Sequence, residues 1–194
     1  MRKLLVLNHL TLDGVMQAPA RPDEDARDGF QQGGWGLANA DSVMLQFLTQ
    51  PRGQGVDLLL GRWTYENFFA VWPKRTDSPF SAMLDNQQKY VASRSLRDPL
   101  PWQNSTLLAG DAADSVARLK AQPGKDLLVM GSGELLQTLM RHGLVDEYQL
   151  MIHPQVLGHG RRLFNQNGPH ASLTLVNSVT TPKGILIATY RPVA

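Results

Sequence analysis

The sequence predicts an α/β fold of three layers, with a mostly parallel central sheet, helices on both of its faces and an antiparallel edge at the C-terminus. Two observations predict it. Short apolar, β-branched runs alternate with segments of helical period through most of the chain, and three strand-like runs follow Asp146 without a helix between them. Alternating strands and helices favour right-handed crossovers and therefore parallel pairing. We expect the last strands to form an edge that a partner chain can share.

Eight segments have strand character, because they are short, apolar and bounded by turn residues. These segments are residues 3–8, 56–60, 88–92, 105–109, 126–130, 147–153, 172–178 and 184–191. Five further segments carry residues at helical spacing. These are residues 41–49, 64–69, 78–84, 111–120 and 133–142. Asp111 is suited to cap the fourth helix, and Gly143 is placed to end the fifth.

The composition is that of a single globular domain, which we expect to span residues 1–194. Of these residues, 42% are hydrophobic and 19% are charged, which supplies enough apolar material for a core. The chain has no cysteine, which excludes disulfides and cysteine-ligated zinc sites such as those of the zinc nucleobase deaminases. Residues 17–36 and 158–170 have loop composition, and the length of the first loop indicates a functional lid or disorder.

Charge and hydropathy also limit the partners that we expect. The net charge is +2, and the basic residues are scattered rather than gathered in the stripe that nucleic-acid-binding proteins carry. The first apolar run ends at Asn8, which is too short for the core of a secretory signal. No segment approaches the roughly 20 apolar residues of a membrane span. We therefore expect a cytoplasmic protein that binds neither nucleic acid nor membrane.

A glycine pair at a strand–helix junction indicates a phosphate site. An apolar strand runs directly into Gly131-Ser132-Gly133, and a helix follows at once. Free N–H groups at a helix start and the helix dipole favour an anion, and glycine lets that anion approach the backbone. The junction lacks the third glycine of a Rossmann fingerprint and the Gly-Lys-Ser/Thr of a Walker loop. A turn with a purely structural role is the alternative.

Two other strands end in residues that suit a phosphate. Arg62 follows Gly61 at the end of the second strand, and Arg94 follows the third strand. Guanidinium groups bind phosphate in bidentate fashion, and ligands of open α/β sheets bind at the carboxyl ends of strands. Taken singly, Arg62 also fits a strand-to-helix turn with a solvated arginine, and Ser93 with Arg94 fits a common surface pair. Together with the glycine junction they predict a phosphorylated dinucleotide such as NADP, since an arginine commonly meets its 2′-phosphate.

Six motifs in register carry a resemblance to a known family. They are Thr11-Leu12-Asp13-Gly14, Gly61-Arg62-Trp63-Thr64-Tyr65-Glu66, Lys89-Tyr90-Val91-Ala92-Ser93, Gly131-Ser132-Gly133-Glu134-Leu135, Gly143-Leu144-Val145-Asp146-Glu147 and Pro154-Gln155-Val156-Leu157-Gly158 followed by Gly160. The chain resembles the dihydrofolate reductase-like family over nearly its whole length. It is most similar to the branch typified by the C-terminal reductase domain of the bifunctional riboflavin-biosynthesis deaminase-reductase.

The resemblance implies an NADPH-dependent reductase with an eight-stranded sheet, usually a homodimer in this branch. It implies cofactor-binding roles for three groups of residues. The phosphates would be contacted by Gly61, Arg62, Trp63 and Thr64, the 2′-phosphate by Ser93 and Arg94, and the pyrophosphate by Gly131, Ser132, Gly133, Glu134 and Leu135. The backbone near Asn8 and His9 and the loop 13–17 would flank the nicotinamide.

The sequence indicates the proton donor of the reduction less directly than it indicates the cofactor-binding residues. Asp41 stands where folate reductases carry a carboxylic acid at the start of their first helix, and Asp13 belongs to a family motif. Both are candidate catalytic residues, while a helix cap and an ordered loop are the respective structural alternatives. His9, His153 and His159 lie near strand ends and lack metal-ligand spacing. We expect them to be hydrogen-bonded structural histidines, and we expect no metal.

The favoured hypothesis is a reductase of a small polar heterocyclic or ribosyl metabolite. The resembled branch reduces the ribosyl group of 5-amino-6-(5-phosphoribosylamino)uracil in riboflavin biosynthesis. A folate substrate is disfavoured, because the loop 17–36 is longer and more polar than a pterin site requires. The alternative class is a non-catalytic NADP-binding regulatory or sensor dimer, which would bind NADPH without turnover.

Overall fold

The computed structural model describes residues 1–76 and 79–193. Its strands are β1 (Leu4–Thr11), β2 (Val56–Gly61), β3 (Lys89–Ala92), β4 (Ser105–Leu108), β5 (Asp126–Met130), β6 (Glu147–His153), β7 (Leu173–Thr180) and β8 (Leu186–Pro192). Its α-helices are α1 (Ser42–Thr49), α2 (Arg62–Val71), α3 (Pro79–Asn86), α4 (Ala112–Ala121) and α5 (Gly133–Arg141). The eight predicted strands and five predicted helices are confirmed. Ser78, the predicted first residue of the third helix, lies outside the described residues.

Several element boundaries differ from the predictions by one to three residues, and two of these differences have a local cause. β1 continues to Thr11, three residues beyond the predicted end, because polar side chains interrupt the apolar run without ending the strand. α2 begins at Arg62, because Gly61 is both the last residue of β2 and the N-cap of the helix. Thr64 therefore lies inside the first turn of α2.

The strands form one eight-stranded sheet in the order β4-β3-β2-β5-β1-β6-β8-β7. β2 pairs in parallel with both β3 and β5, and β3 pairs in parallel with β4. β8 runs antiparallel to both β6 and β7. A mostly parallel sheet with an antiparallel C-terminal edge is thus confirmed.

The chain divides into two compact units. The first consists of Met1–Leu5 and Pro51–Val145, and the second of Val6–Gln50 and the segment from Asp146 onward. A single domain over the whole chain stays a prediction.

The first unit contains the parallel strands β2 to β5 and the helices α2 to α5. Leu58, Leu59 and Leu60 on β2 are all fully buried. Such a continuous buried run is typical of a parallel strand that is covered on both faces. The positive charge of Arg2 is also buried here, and its guanidinium donates hydrogen bonds to Asp57 Oδ2 at 2.5 Å and to the carbonyl of Lys125. Without Asp57, the buried charge of Arg2 would destabilise the unit by roughly 3 to 5 kcal/mol.

The second unit contains α1, the antiparallel strands and the long loop 17–36. That loop is packed and hydrogen-bonded. Phe30 and Trp35 are buried with Val15 and Ala18 in a small apolar cluster. Trp35 Nε1 donates a hydrogen bond to the carbonyl of Gln17 at 2.7 Å. The loop therefore has a defined conformation and is not a disordered segment.

β7 is the terminal strand of the sheet and is exposed on both of its faces. Seven of its eight residues are exposed, among them the apolar Leu175, Val176 and Val179. Only β8 pairs with it among the described residues. In the part of the chain that the structure describes, no helix is both long enough and apolar enough to cross a membrane.

Candidate functional site

Two strand–helix junctions of the first unit lie side by side. β2 and β5 are parallel neighbours, so their carboxyl ends meet at one edge of the sheet. β2 passes into α2 at Gly61, and β5 passes into α5 through Gly131 and Ser132. The N–H of Gly61 donates a hydrogen bond to Ser132 Oγ, with 2.8 Å between the two atoms. A single serine hydroxyl thus ties the two junctions together.

The backbone at the α5 junction is unusual, and its neighbours are close. Gly131 and Ser132 both have positive φ angles, 71° and 64°. This left-handed conformation costs a residue with a side chain about 1 kcal/mol, which the contact to Gly61 helps to offset. A Cβ added to Gly131 would lie 3.5 Å from Thr64 Oγ1, and one added to Gly61 would lie 3.6 Å from the Cβ of Leu135. The predicted residues Gly61, Thr64, Gly131, Ser132 and Leu135 are therefore brought together.

The two helices that begin here differ from others in how they are capped. The side chains of Asp41 and Asp111 accept hydrogen bonds from the first turns of α1 and α4. Gly61 and Ser132, the N-caps of α2 and α5, make no side-chain capping bond. Uncapped N–H groups and the positive end of the helix dipole favour an anion. We name these two adjacent helix starts the phosphate cradle, defined by residues 61–64 and 131–135.

The charged and aromatic members of the cradle are exposed. Arg62 Nη1 lies 3.1 Å from Glu66 Oε2 in an ion pair one helical turn apart. Such an exposed pair contributes roughly 0.5 kcal/mol or less, so an incoming phosphate can displace it at little cost. Trp63 is 37% exposed, and Glu134 is exposed in the first turn of α5.

Ser93 and Arg94 follow β3 next to the cradle. The register pairs Ala92 of β3 with Gly61 of β2, so Ser93 begins where β2 gives way to α2. Ser93 Oγ accepts hydrogen bonds from the N–H groups of Ser95 and Leu96 at 3.2 and 3.0 Å. The hydroxyl thereby forms a turn that carries Arg94, whose side chain is exposed.

Asp13 lies in the second unit and anchors a loop. Its carboxylate accepts hydrogen bonds from Thr11 Oγ1 at 2.6 Å and from the N–H groups of Leu157 and Gly158 at 3.2 and 2.9 Å. Arg162 adds an ion pair at 3.2 Å. The Thr11 hydroxyl first, and then the N–H groups of Leu157 and Gly158, lower the pKa of Asp13 to about 2. An ordered loop, one of the two predicted roles, is what this geometry supports.

Asp41 caps α1 and also holds a second segment. Its Oδ1 accepts a hydrogen bond from the N–H of Met44 at 3.0 Å, and its Oδ2 accepts one from the N–H of Lys183 at 3.2 Å. The Met44 bond is the largest cause that lowers the pKa of this carboxyl. A carboxylate held in its charged form is a poor proton donor. Catalytic roles for Asp13 and Asp41 stay predictions.

Two of the three histidines near strand ends, His9 and His153, form a pair in the second unit. His9 Nδ1 lies 2.9 Å from His153 Nε2, although the residues are 144 positions apart in the chain. Burial, together with the nearby His153, lowers the pKa of His9 to about 3, and burial lowers that of His153 to about 4. Both rings are therefore neutral at physiological pH. Each residue was singled out from the sequence, but no local pattern indicates that they meet.

No metal centre accompanies these groups in the part of the chain that the structure describes. Nowhere among those residues are three or more His, Asp or Glu side chains arranged to hold a metal ion.

The comparison with family models identifies the relatives of this fold and cradle. The model of the RibD C-terminal domain matches residues 2–187. The chain belongs to the RibD C-terminal domain family. This is a family of NADPH-dependent reductases whose members bind NADP(H). The resemblance found in the sequence motifs is confirmed.

Individual proteins of known sequence or structure agree with the RibD C-terminal assignment. The uncharacterized protein YyaP of Bacillus subtilis (strain 168) is 31% identical over 174 residues, which cover 84% of this chain and 88% of YyaP. A putative riboflavin biosynthesis protein from Shewanella sp. PV-4 superposes with a TM-score of 0.70 at 20% identity, over 99% of both chains. Dihydrofolate reductase from Enterococcus faecalis, complexed with NADP(H) and RAB-propyl, has a TM-score of 0.61 at 13% identity, over 99% of this chain and 97% of the reductase. At these identities the two structures show the fold.

The cradle predicts that Gly131→Val weakens the binding of NADPH and NADH alike, by roughly tenfold or more. A side chain at this position strains the backbone and stands in the path of a phosphate. Gly143→Val is the matched control, since Gly143 also has a positive φ, 62°, at the opposite end of α5 with open space around an added Cβ. Isothermal titration with each cofactor measures the effect. If Gly131→Val and Gly143→Val lose the same cofactor affinity, the junction at Gly131 is not part of the binding site.

The Asp13 contacts predict a pH-dependent contribution to stability. The pKa of Asp13 is lowered from 3.8 to about 2 in the folded chain, so its stabilisation is complete above about pH 4 and is lost as the pH falls toward 2. Urea unfolding of the wild type and of Asp13→Asn should therefore differ most near neutral pH and converge near pH 2. Asp23→Asn, at a carboxylate that is 82% exposed, should show no such convergence. A constant difference across this range contradicts the role of Asp13.

Proposed function

We propose that this chain is an NADPH-dependent reductase that acts on a small polar heterocyclic or ribosyl metabolite. The observation that carries the proposal is the phosphate cradle, in which two uncapped helix starts are joined by the bond from Gly61 to Ser132. Two adjacent anion sites suit a pyrophosphate better than a single phosphate. Membership of a family whose members bind NADP(H) indicates which pyrophosphate this is.

The residues of the cradle fit this cofactor. Gly131 and Gly61 leave open the space that a Cβ would fill, and the neighbouring Thr64 hydroxyl can donate to a phosphate oxygen. Arg62 and Arg94 are exposed guanidinium groups at neighbouring strand ends, which suits the 2′-phosphate that distinguishes NADPH from NADH. When bound, NADPH supplies the hydride. The chain itself orients the cofactor and supplies the positive charges of Arg62 and Arg94.

The substrate class follows from relatives rather than from the cradle. A superposable protein from Shewanella sp. PV-4 is described as a putative riboflavin biosynthesis protein. The motifs resemble the reductase of 5-amino-6-(5-phosphoribosylamino)uracil. A metabolite that combines a polar ring with a ribosyl chain is therefore the first substrate to test.

The decisive experiment follows NADPH oxidation by its loss of absorbance. Purified protein is incubated with NADPH and 5-amino-6-(5-phosphoribosylamino)uracil, then with a panel of ribosyl and heterocyclic carbonyl compounds. Turnover of any member supports a reductase, and turnover of the first supports the riboflavin step. Tight NADPH binding without turnover on the whole panel would instead support a non-catalytic NADP-binding regulatory protein.

The proposed arginine roles predict a selective loss of NADPH affinity. Arg62→Ala or Arg94→Ala should weaken NADPH by roughly 10- to 100-fold, the value of a charged hydrogen bond, and NADH by far less. Arg141→Ala, at the other end of α5, is the control and should leave both affinities unchanged. Fluorescence titration with each cofactor measures the ratio. Equal losses of NADPH and NADH in the first two variants contradict the assignment.

We further propose that the protein is a homodimer joined through β7. Among the described residues this terminal strand pairs on one side only and carries exposed apolar side chains, and such edges readily pair with another chain. Val179→Lys should convert the dimer into a monomer at micromolar concentration, because a lysine on the edge opposes strand pairing. Leu45→Lys, at an exposed leucine of α1, should leave the dimer intact. Light scattering after size exclusion measures the mass, and a monomeric wild type refutes the proposal.

A further inference from the structure

The histidine pair of the second unit leaves two ring nitrogens outside its shared hydrogen bond, the buried His153 Nδ1 and His9 Nε2. His9 Nδ1 and His153 Nε2 are 2.9 Å apart, and the two ring planes are inclined by 39°. His9 is the one residue of β1 whose burial is intermediate, whereas His153 has no exposed surface. The hydrogen bond occupies His9 Nδ1, so Nε2 is the nitrogen of His9 that remains for a ligand.

A neutral pair can share its protons in two ways. If His9 Nδ1 donates, His153 Nε2 accepts and the proton of His153 must sit on its Nδ1. If His153 Nε2 donates, its Nδ1 carries no proton, and His9 must carry its own proton on Nε2. The first arrangement makes the outer nitrogen of His9 an acceptor, and the second makes it a donor.

The surroundings of His153 favour the second arrangement. Its Nδ1 is buried and has no hydrogen-bond partner among the described residues. The Trp35 ring stands at 89° to the imidazole, with 5.2 Å between the ring centroids. The indole of Trp35 is a donor only, and its N–H is committed to the carbonyl of Gln17, so this side chain offers Nδ1 neither an oxygen or nitrogen acceptor nor a donor. A buried N–H without an acceptor is rarer than a buried lone pair without a donor, so Nδ1 is expected to be bare.

We infer that His9 presents its Nε2–H as a hydrogen-bond donor to a neutral carbonyl oxygen of the substrate, and that His153 holds it in this tautomer. The inference rests on the proposed reductase function, because it names a substrate-binding group for that activity. His9 is the substrate-binding residue of the pair, and His153 is a positioning residue.

The lack of charge on the two imidazoles determines which ligand His9 can bind. Burial keeps both imidazoles uncharged, and a neutral imidazole N–H can polarise a carbonyl oxygen without carrying a full positive charge. Net proton transfer is not assigned to the pair. If His9 gave up its Nε2 proton, His153 could replace it only by taking up another at Nδ1, which has no partner. A protonated Nε2 has no lone pair for a metal ion, and an uncharged donor suits a neutral ring carbonyl.

Nitrogen NMR of protein labelled with ¹⁵N-histidine tests the tautomer without any ligand. We expect both His9 and His153 to carry their proton on Nε2 and to have unprotonated Nδ1 atoms. The signals are assigned by their loss in His9→Asn and in His153→Gln. A His153 protonated on Nδ1, with that N–H directed at the Trp35 ring, overturns the inference.

Uracil is the binding probe, because it carries ring carbonyls and no phosphate. His9→Gln places an amide N–H near the position of Nε2, whereas His9→Asn places its amide near Nδ1. We expect uracil to shift the His9 Nε2–H signal. We expect His9→Asn to weaken uracil binding about tenfold, the value of one or two neutral hydrogen bonds, and His9→Gln to weaken it much less. Equal affinities of the two variants, or an unmoved His9 signal, overturn the inference.

NADPH binding is measured in the same variants by fluorescence titration. Unchanged NADPH affinity together with the difference between His9→Asn and His9→Gln supports a role for His9 toward the carbonyl compound alone. Failure of the wild type to bind NADPH would refute the proposed function, while the tautomer and uracil measurements would still decide the role of His9.

The positioning role of His153 has its own pair of variants. His153→Gln keeps a side-chain N–H near Nε2, and His153→Met removes it. We expect His9 to remain in the Nε2–H tautomer in His153→Gln. In His153→Met we expect exchange between tautomers and several-fold weaker uracil binding. A His9 tautomer that is unchanged in His153→Met overturns the positioning role. Should that variant not fold, loss of the His9 Nε2–H tautomer in His153→Gln overturns it instead.

Discussion

The hydrogen bond from the N–H of Gly61 to the hydroxyl of Ser132 is the contact on which the candidate cofactor site depends. It joins residues 71 positions apart, and it holds the starts of α2 and α5 against one another. It also accounts for two irregularities at Ser132. The residue adopts a left-handed backbone conformation, and its side chain does not cap the helix that it begins. The hydroxyl that would commonly cap α5 is used across the sheet edge instead, so no side-chain cap competes with an anion at either helix start.

The second unit uses its polar groups differently. Asp13 and Asp41 accept hydrogen bonds at both carboxylate oxygens, which keeps each of them charged and ties distant segments of the unit together. The histidine pair is neutral and leaves one nitrogen outward. A group that recognises a neutral carbonyl is thus better supplied by His9 than by either carboxylate. This contrast arises from burial, which penalises the charged form of the imidazoles, and from backbone donors, which stabilise the charged form of the carboxylates.

Much of the fold could be predicted because its signals are local. Buried parallel strands such as β2 and β5 are continuous apolar runs, and glycine at a strand end followed by helical spacing predicts the junctions at Gly61 and Gly131. The end of β1 was missed because Asn8 and His9 are polar in a strand whose neighbours on both sides supply its pairing. The start of α2 was missed because one glycine serves both elements.

By itself, the sequence determined the order of elements and, through its motifs, the family, and it predicted a phosphate site at the glycine junction. The tertiary structure alone decided which polar groups meet. Whether Ser132 caps its own helix or reaches Gly61, and whether two histidines 144 residues apart share a proton, depends on which strands become neighbours. Local propensity acts over a few residues, whereas hydrogen-bond partners and the burial that sets a pKa are settled only when the sheet brings distant segments together.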